Sequence, residues 1–166
     1  MKASESKLLP LIEGTKQYVV PLFQRPYSWT KDHWKILWDD LSELCEESSD
    51  RTHFLGSIVT APTVSVPEGV TKYLLIDGQQ RLTTVFVLLC VIRDLAAEHQ
   101  SRLAEEIKNT LLLNSYKDNQ ERFKLLPTHL DRSEFLSMID GKKLSGRWRS
   151  TIGLVLKSVD GFEWLP

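Results

Sequence analysis

The sequence predicts a mixed α/β (α+β) fold, a small mixed sheet with helices packed against it. Three observations predict it. Trp34, Leu37, Trp38, Leu41, Leu44 and Cys45 recur at helical spacing. Leu82, Val85, Phe86, Leu88, Leu89, Val91, Ile92 and Leu95 cover so much of one helix that it reads as central. Short runs rich in strand formers, residues 18–23, 54–61 and 73–76, supply the sheet.

Taken in order, Leu8, Leu9, Leu11 and Ile12 predict a short helix that Gly14 ends as a C-terminal cap. Residues 18–23 follow as a strand, and Pro21 makes it an edge strand or marks a strand end. Arg25 precedes a proline and is therefore extended. Thr30 is a good N-cap for the next helix, and Asp32 suits its first turn. The polar residues 46–50 close that helix. Residues 54–61 read as a strand, with Gly56 at a bulge or close contact. Residues 62–71 hold two prolines and a glycine and form a loop, and 73–76 is a short buried strand. The two strands form a hairpin. A helix runs from Leu82 to about His99, and another covers Arg102 to Leu113. Residues 123–126 form a strand stopped by Pro127, and 133–139 a short helix with Ser133 as its cap. Gly141 and Gly146 break the chain, and 151–166 carries no assignment.

Length and composition narrow the function. The 166 residues fit one domain, or one plus an incomplete second, and 42% hydrophobic with 26% charged residues is ordinary for a globular protein. A formal net charge of −1 gives the whole chain no electrostatic case for coating DNA or a membrane. Lys142, Lys143, Arg147 and Arg149 form a modest basic stretch, ordinarily solvated surface and alternatively a nucleic-acid contact. Cys45 and Cys90 lie far apart in apolar helical patterns and read as buried free thiols. The N-terminus has no signal-peptide core, and the longest apolar run, residues 85–92, is far too short to span a bilayer. The expectation is a cytoplasmic protein with no membrane partner.

The chemistry centres on Asp77, Gly78, Gln79, Gln80 and Arg81, where a strand turns into a helix. The first amides of a helix have no internal partners and carry a partial positive charge, which suits phosphate. Gly78 lets a ligand approach the backbone. Gln79 and Gln80 supply amides, Arg81 a planar fork for phosphate oxygens, and Thr83 and Thr84 hydroxyls. Asp77 is the metal-facing carboxylate, because Mg²⁺ prefers one or two carboxylates plus phosphate oxygens. A purely structural reading stands beside this one: Asp77 as N-cap, with Gln80 completing a capping box. Gln24 and Arg25 form a second cluster. Either Arg25 is a surface arginine stacked on Tyr27 or Trp29, or it faces the same phosphates, with Phe23, Tyr27 or Trp29 available to stack on a base.

Other chemistries find less support. His33, His53, His99 and His129 are scattered, without H-x-x-x-H spacing. There is no G-x-S-x-G elbow and no G-x-x-x-x-G-K-[ST] loop. Trp34 and Trp38 share a helix face and read as core rather than as a ligand platform.

Four segments in order carry a family resemblance. They are residues 20–29 (VPLFQRPYSW), 54–59 (FLGSIV), 75–84 (LIDGQQRLTT) and 125–132 (LLPTHLDR). Together they resemble the N-terminal domain of GmrSD-type modification-dependent restriction systems, over about Leu9 to Gly141. The resemblance implies a ParB/sulfiredoxin-like core and binding and hydrolysis of a nucleoside triphosphate with Mg²⁺. It implies a regulatory role in defence against foreign DNA. Asp77, Gln79, Gln80 and Arg81 become the nucleotidase residues, with Gln24 and Arg25 as their partners. The implied macromolecular partners are a nuclease subunit and, through a larger complex, DNA. A non-catalytic module that senses nucleotide or DNA modification and controls a partner nuclease is the alternative. Related proteins are longer and commonly carry a His-Asn nuclease module, fused or in a partner chain. This chain carries none, and is expected to be a truncated member, a fragment or one part of a split system. Residues 1–141 are expected to form the nucleotidase domain and 142–166 an unassigned segment, the start of a truncated helical region.

Overall fold

Charge, capping and apolar period place the elements along the chain, and the computed structural model describes residues 5–46, 52–63, 69–99 and 101–142. The described elements begin with helix α1 (Leu8–Ile12), strand β1 (Lys16–Val19) and helix α2 (Lys31–Glu46). Strands β2 (Val59–Pro62) and β3 (Thr71–Asp77) lead into helix α3 (Gln79–His99). Helix α4 (Ser101–Glu106), strand β4 (Leu125–Leu126) and helix α5 (His129–Ile139) follow. The basic stretch, apart from Lys142, and the whole of 151–166 lie outside the described residues.

The sheet is mixed and open, with strand order β2-β3-β1-β4. β1 runs parallel to both β3 and β4, whereas β2 and β3 form the expected antiparallel pair. β1 is thus internal, and it stops at Val19, before Pro21; of the two readings of that proline, the strand end holds. Val59 stands opposite Asp77 but Thr60 opposite Leu75, so the register slips at Ile76. Such a slip re-aims the chain as it leaves the sheet, here directly before the turn into α3.

α3 is the central helix. Leu82, Val85, Phe86, Val87, Cys90 and Val91 are buried, and Ile92 lies on its exposed side. Phe86 meets Phe135 of α5 at 6.4 Å between ring centroids, joining sheet and helices in one core with Leu75, Leu125 and Ile139. Burial of each such side chain contributes on the order of 2 kcal/mol. Burial thins along α2: Trp34 and Leu37 are buried, Trp38, Leu41 and Leu44 half-buried, and Cys45 exposed. The apolar pattern therefore misplaced Cys45, which lies in the last helical turns beyond the core; Cys90 is buried as expected.

Three expectations are corrected. Residues 54–58 are not a strand; β2 begins only at Val59, because Gly56 takes a φ of +96° that breaks the extended path. The segment after α4 winds as a π-helix over Ile107–Leu112 rather than continuing as α-helix. The last helix starts at His129, with Thr128 as its N-cap instead of Ser133. Pro127 before it cannot extend the strand, and Asp131 accepts a 2.7 Å hydrogen bond from the Thr128 hydroxyl.

The C-terminal end of α1 is held by cations. Lys16 donates to the Pro10 carbonyl at 2.6 Å, and the buried Lys124 ammonium donates to Ile12 at 2.9 Å and Gly14 at 2.5 Å. These bonds satisfy orphan carbonyls at the negative end of the helix. Burial nevertheless pushes the Lys124 ammonium down from 10.5 to about 8, aided by Lys16 and opposed by Glu13. Between those two values the unfolded chain holds more protons than the native one, so stability rises with pH. Burial raises the Cys90 thiol from 9.0 to about 12 and the Tyr18 hydroxyl from 10.0 to about 12, and both act with the opposite sign at higher pH. The net rise falls in the window between the folded value of Lys124, about 8, and the unfolded value of Cys90, 9.0. Urea unfolding across that window should show stability climbing by up to about 1 kcal/mol. Lys124→Met should abolish the climb, and a flat wild-type profile would contradict the assignment.

Candidate functional site

The loop between β1 and α2 satisfies little of its own backbone. It contains Pro21 and Pro26, which lack N–H donors; its first residue, Val20, still donates to the Leu126 carbonyl of β4 at 2.9 Å, and the Gln24 N–H bonds the Pro21 carbonyl at 3.2 Å. Beyond these, side chains hold it. Gln24 donates its amide to the Ile76 carbonyl at 2.9 Å. Gln79 donates to the Arg25 carbonyl at 2.8 Å. Gln80 uses both ends of its carboxamide: the nitrogen donates to the Pro26 carbonyl at 3.1 Å, and the oxygen accepts the Ser28 N–H at 2.9 Å. Asp131, buried at the start of α5, accepts the Tyr27 N–H at 2.7 Å. The Tyr27 hydroxyl lies 2.9 Å from the Thr84 hydroxyl, which in turn donates to the Gln80 carbonyl.

The strand-to-helix turn is equally constrained. Gly78 has a φ of +89°, and a Cβ there would sit 3.0 Å from both the Ser57 oxygen and Ile58 Cγ1. Its carbonyl accepts the first helical bond, from the Leu82 N–H at 2.9 Å. Gly78 is therefore the N-cap and Asp77 lies one residue outside the helix, so the capping-box alternative is not realised. Gln80 is committed to the Pro26–Ser28 backbone, while the Asp77 carboxylate lies 3.3 Å from the Arg81 guanidinium. Arg81 also donates to the Ser57 carbonyl at 2.5 Å.

Both clusters line one open cleft of about 530 Å³. Gln24, Arg25, Ser28, Trp29 and His33 come from the loop and α2; Asp77 to Arg81 come from the turn. The cleft lies where the parallel strands β1 and β3 end, the usual position for a ligand on an open α/β sheet. The amides of Gln79, Gln80 and Arg81 precede the first helical bond and so have no helical partner. Asp77 keeps 65% of its side chain exposed and Arg81 31%.

Not every expected residue reaches the cleft. Thr83 and Thr84 are buried behind it, one helical turn inward, and Thr84 serves the internal chain with Tyr27. Tyr27 is itself buried, and Phe23, 81% exposed, is not among the residues lining the cleft. Of the three candidate stacking residues only Trp29 lines the wall. Arg25 is exposed and stands in the cleft with Trp29.

His33 lines the cleft although the sequence marked it only as one of four scattered histidines. Its ring stacks on Trp29 at 5.6 Å and 28°. Its Nδ1 accepts the Thr30 N–H at 3.2 Å and lies 2.8 Å from the Thr30 hydroxyl, so a neutral ring carries its proton on Nε2. The spacing of Trp29 and His33 across the Thr30 helix start is the signal that pairs them. Asp131 was missed as a support of the site for a different reason: its partner, Tyr27, is distant in sequence.

The family described as GmrSD restriction endonuclease, N-terminal domain, matches residues 8–151. No curated protein matches the chain. No helix among the described residues is long and apolar enough to cross a membrane.

The clamp can be tested without a ligand. Gln80→Ala should free the exposed Ser28 N–H and the half-buried Pro26 carbonyl, costing about 1 kcal/mol because water can reach both groups. Hydrogen exchange at Ser28 should accelerate strongly, while the amides of β1 should stay protected. Unchanged exchange at Ser28 would remove Gln80 from this role.

Proposed function

This chain belongs to the GmrSD restriction endonuclease N-terminal domain family and is a restriction-system domain, and we propose that its cleft binds and hydrolyses a nucleoside triphosphate to regulate DNA restriction in the cytoplasm. One observation carries the reading: Arg25, Arg81 and the unpaired amides of α3 converge on a single open cleft beside an exposed Asp77. Two guanidinium groups and a helix N-terminus form a site for a polyanion.

In this reading the α3 amides and Arg81 cradle the phosphates, with Arg25 closing from the loop. Catalysis is then a matter of positioning and of neutralising charge as water attacks the γ-phosphorus and the β–γ bridging oxygen leaves. Gln80 has both amide ends engaged and so holds the loop rather than the water. The Asp77 carboxylate, and the oxygen of Gln79 whose nitrogen is bonded to Arg25, remain as acceptors that could orient it. Trp29, with His33 against it, offers the only aromatic wall among the described lining residues.

A single exposed carboxylate fits Mg²⁺ carried in on a triphosphate, which needs only one or two protein carboxylates. Among the described residues no three histidine, cysteine or acidic side chains converge to cage an ion. Bound there, Mg²⁺ would supply charge neutralisation at the phosphate oxygens. DNA and a partner nuclease subunit belong to this proposal as the machinery that the domain controls.

The commitment of Gln80 to the loop favours a second reading, a nucleotide-responsive switch without turnover. A ligand at the α3 N-terminus would then act on residues 24–28 through that carboxamide, shifting a conformational equilibrium. ATP, GTP, CTP and UTP, each with Mg²⁺, should separate the two by thermal shift and phosphate release. Hydrolysis predicts release that drops about 100-fold or more in Arg81→Ala and in Asp77→Ala. The switch predicts a thermal shift lost in Arg81→Ala with no release from wild type. Release that both variants leave unchanged would refute the enzymatic assignment, and no shift with any of the four would refute both readings.

A further inference from the structure

Residues 56–58, which the strand pattern assigned to the sheet, lie instead across the turn into α3. Two contacts pin them there. At Gly78, the Ser57 oxygen and Ile58 fill the space that a Cβ would need. At Arg81, the Ser57 carbonyl accepts the guanidinium Nη2 at 2.5 Å, and Asp77 lies 3.3 Å from the same nitrogen. Gly56 forms the floor: a Cβ there would stand 3.2 Å from Arg81 Cδ, Nε and Nη1 together. Arg81 Nε is buried with no hydrogen-bond partner, as expected of a guanidinium laid against a glycine backbone rather than against a polar group.

We propose that residues 56–58 are a strap that aims Arg81 at the cleft, with Gly56 as a positioning residue that acts through that guanidinium. The inference rests on reading the cleft as a nucleotide site. A carbonyl on one nitrogen, a carboxylate beside it and a glycine floor hold the fork in one orientation, which an arginine on an exposed helix end lacks. Preorganisation of this kind strengthens anion binding because the side chain need not be ordered when the ligand arrives. Gly56 is required for two reasons, its φ of +96° and the space taken by Arg81. Gly14 separates them: its φ is +79°, but the nearest atom to a Cβ there is Lys16 Cε at 4.0 Å. A substitution at Gly14 carries the backbone strain without the crowding.

The test compares wild type, Gly56→Ala, Gly14→Ala, Arg81→Ala and the Gly56→Ala/Arg81→Ala double variant. Gly56→Asn replaces Gly56→Ala if the latter does not fold, since asparagine tolerates positive φ but brings the same Cβ. Kd is measured with ATP, GTP, CTP and UTP in the presence of Mg²⁺. Gly56→Ala should weaken the tightest of them about tenfold, as expected for a misplaced binding group, and Gly14→Ala should leave it unchanged. The double variant should bind no more weakly than Arg81→Ala. A second readout uses no nucleotide: the Arg81 Nε–H resonance should shift in Gly56→Ala and stay in place in Gly14→Ala. Equal affinities for the two glycine variants overturn the strap, as does an effect of Gly56→Ala that persists fully without Arg81. If no triphosphate binds wild type, the nucleotide reading fails, and the Arg81 resonance alone decides whether the strap holds.

Discussion

The Gln80 carboxamide is the contact on which the cleft depends. It bridges the Pro26 carbonyl and the Ser28 N–H, and so fastens a proline-containing loop to the first turn of α3. Each such bond contributes only about 1 kcal/mol net, but the pair acts together on one short stretch of backbone. Gln24, Gln79 and Asp131 repeat the device from other directions, each serving a backbone group of the loop or of the strand end beside it. The loop is therefore specified by side chains rather than by a ladder of its own. That makes its position sensitive to whatever happens at the helix start.

Helical period then divides the labour of the turn. Gln80 and Thr84 lie four residues apart and share the inward side, where the Thr84 hydroxyl links Tyr27 to the helix backbone. Arg81 falls on the outward side with Asp77 ahead of it, so the two charged groups line the cleft while the Gln79 and Gln80 side-chain carboxamides are bonded to the loop. The central helix tolerates this because its next turns, from Leu82 to Val91, are anchored in the core. A charged, open cleft is costly to hold in shape; a buried helix beginning at its edge provides the rigidity.

Much of this was readable from residue order. The apolar sweep from Leu82 marked α3 as central, and Trp34 and Leu37 marked the buried side of α2. Gly14 and Pro127 marked real ends of elements. The failures were local. Residues 54–58 have strand composition but carry Gly56 at positive φ, and the Ser57 carbonyl accepts from Arg81 rather than from a neighbouring strand. Thr83 and Thr84 have phosphate-binding chemistry but the wrong phase on the helix. Cys45 has the right phase but lies past the end of the core.

By itself, the sequence determined the family, the mixed α/β class and the polar strand-to-helix turn at residues 77–81, because these follow from residue type and local period. Tertiary structure alone decided what each residue does there. Asp77 and Gln80 could be read as a capping box until the loop arrived to take the Gln80 amide, and Gln24 and Arg25 could not be joined to the turn from their place in the chain. Partners separated by some fifty residues in sequence meet only because β1 and β3 lie side by side in parallel and leave the sheet at the same edge. That adjacency is a property of strand pairing, which no local pattern encodes.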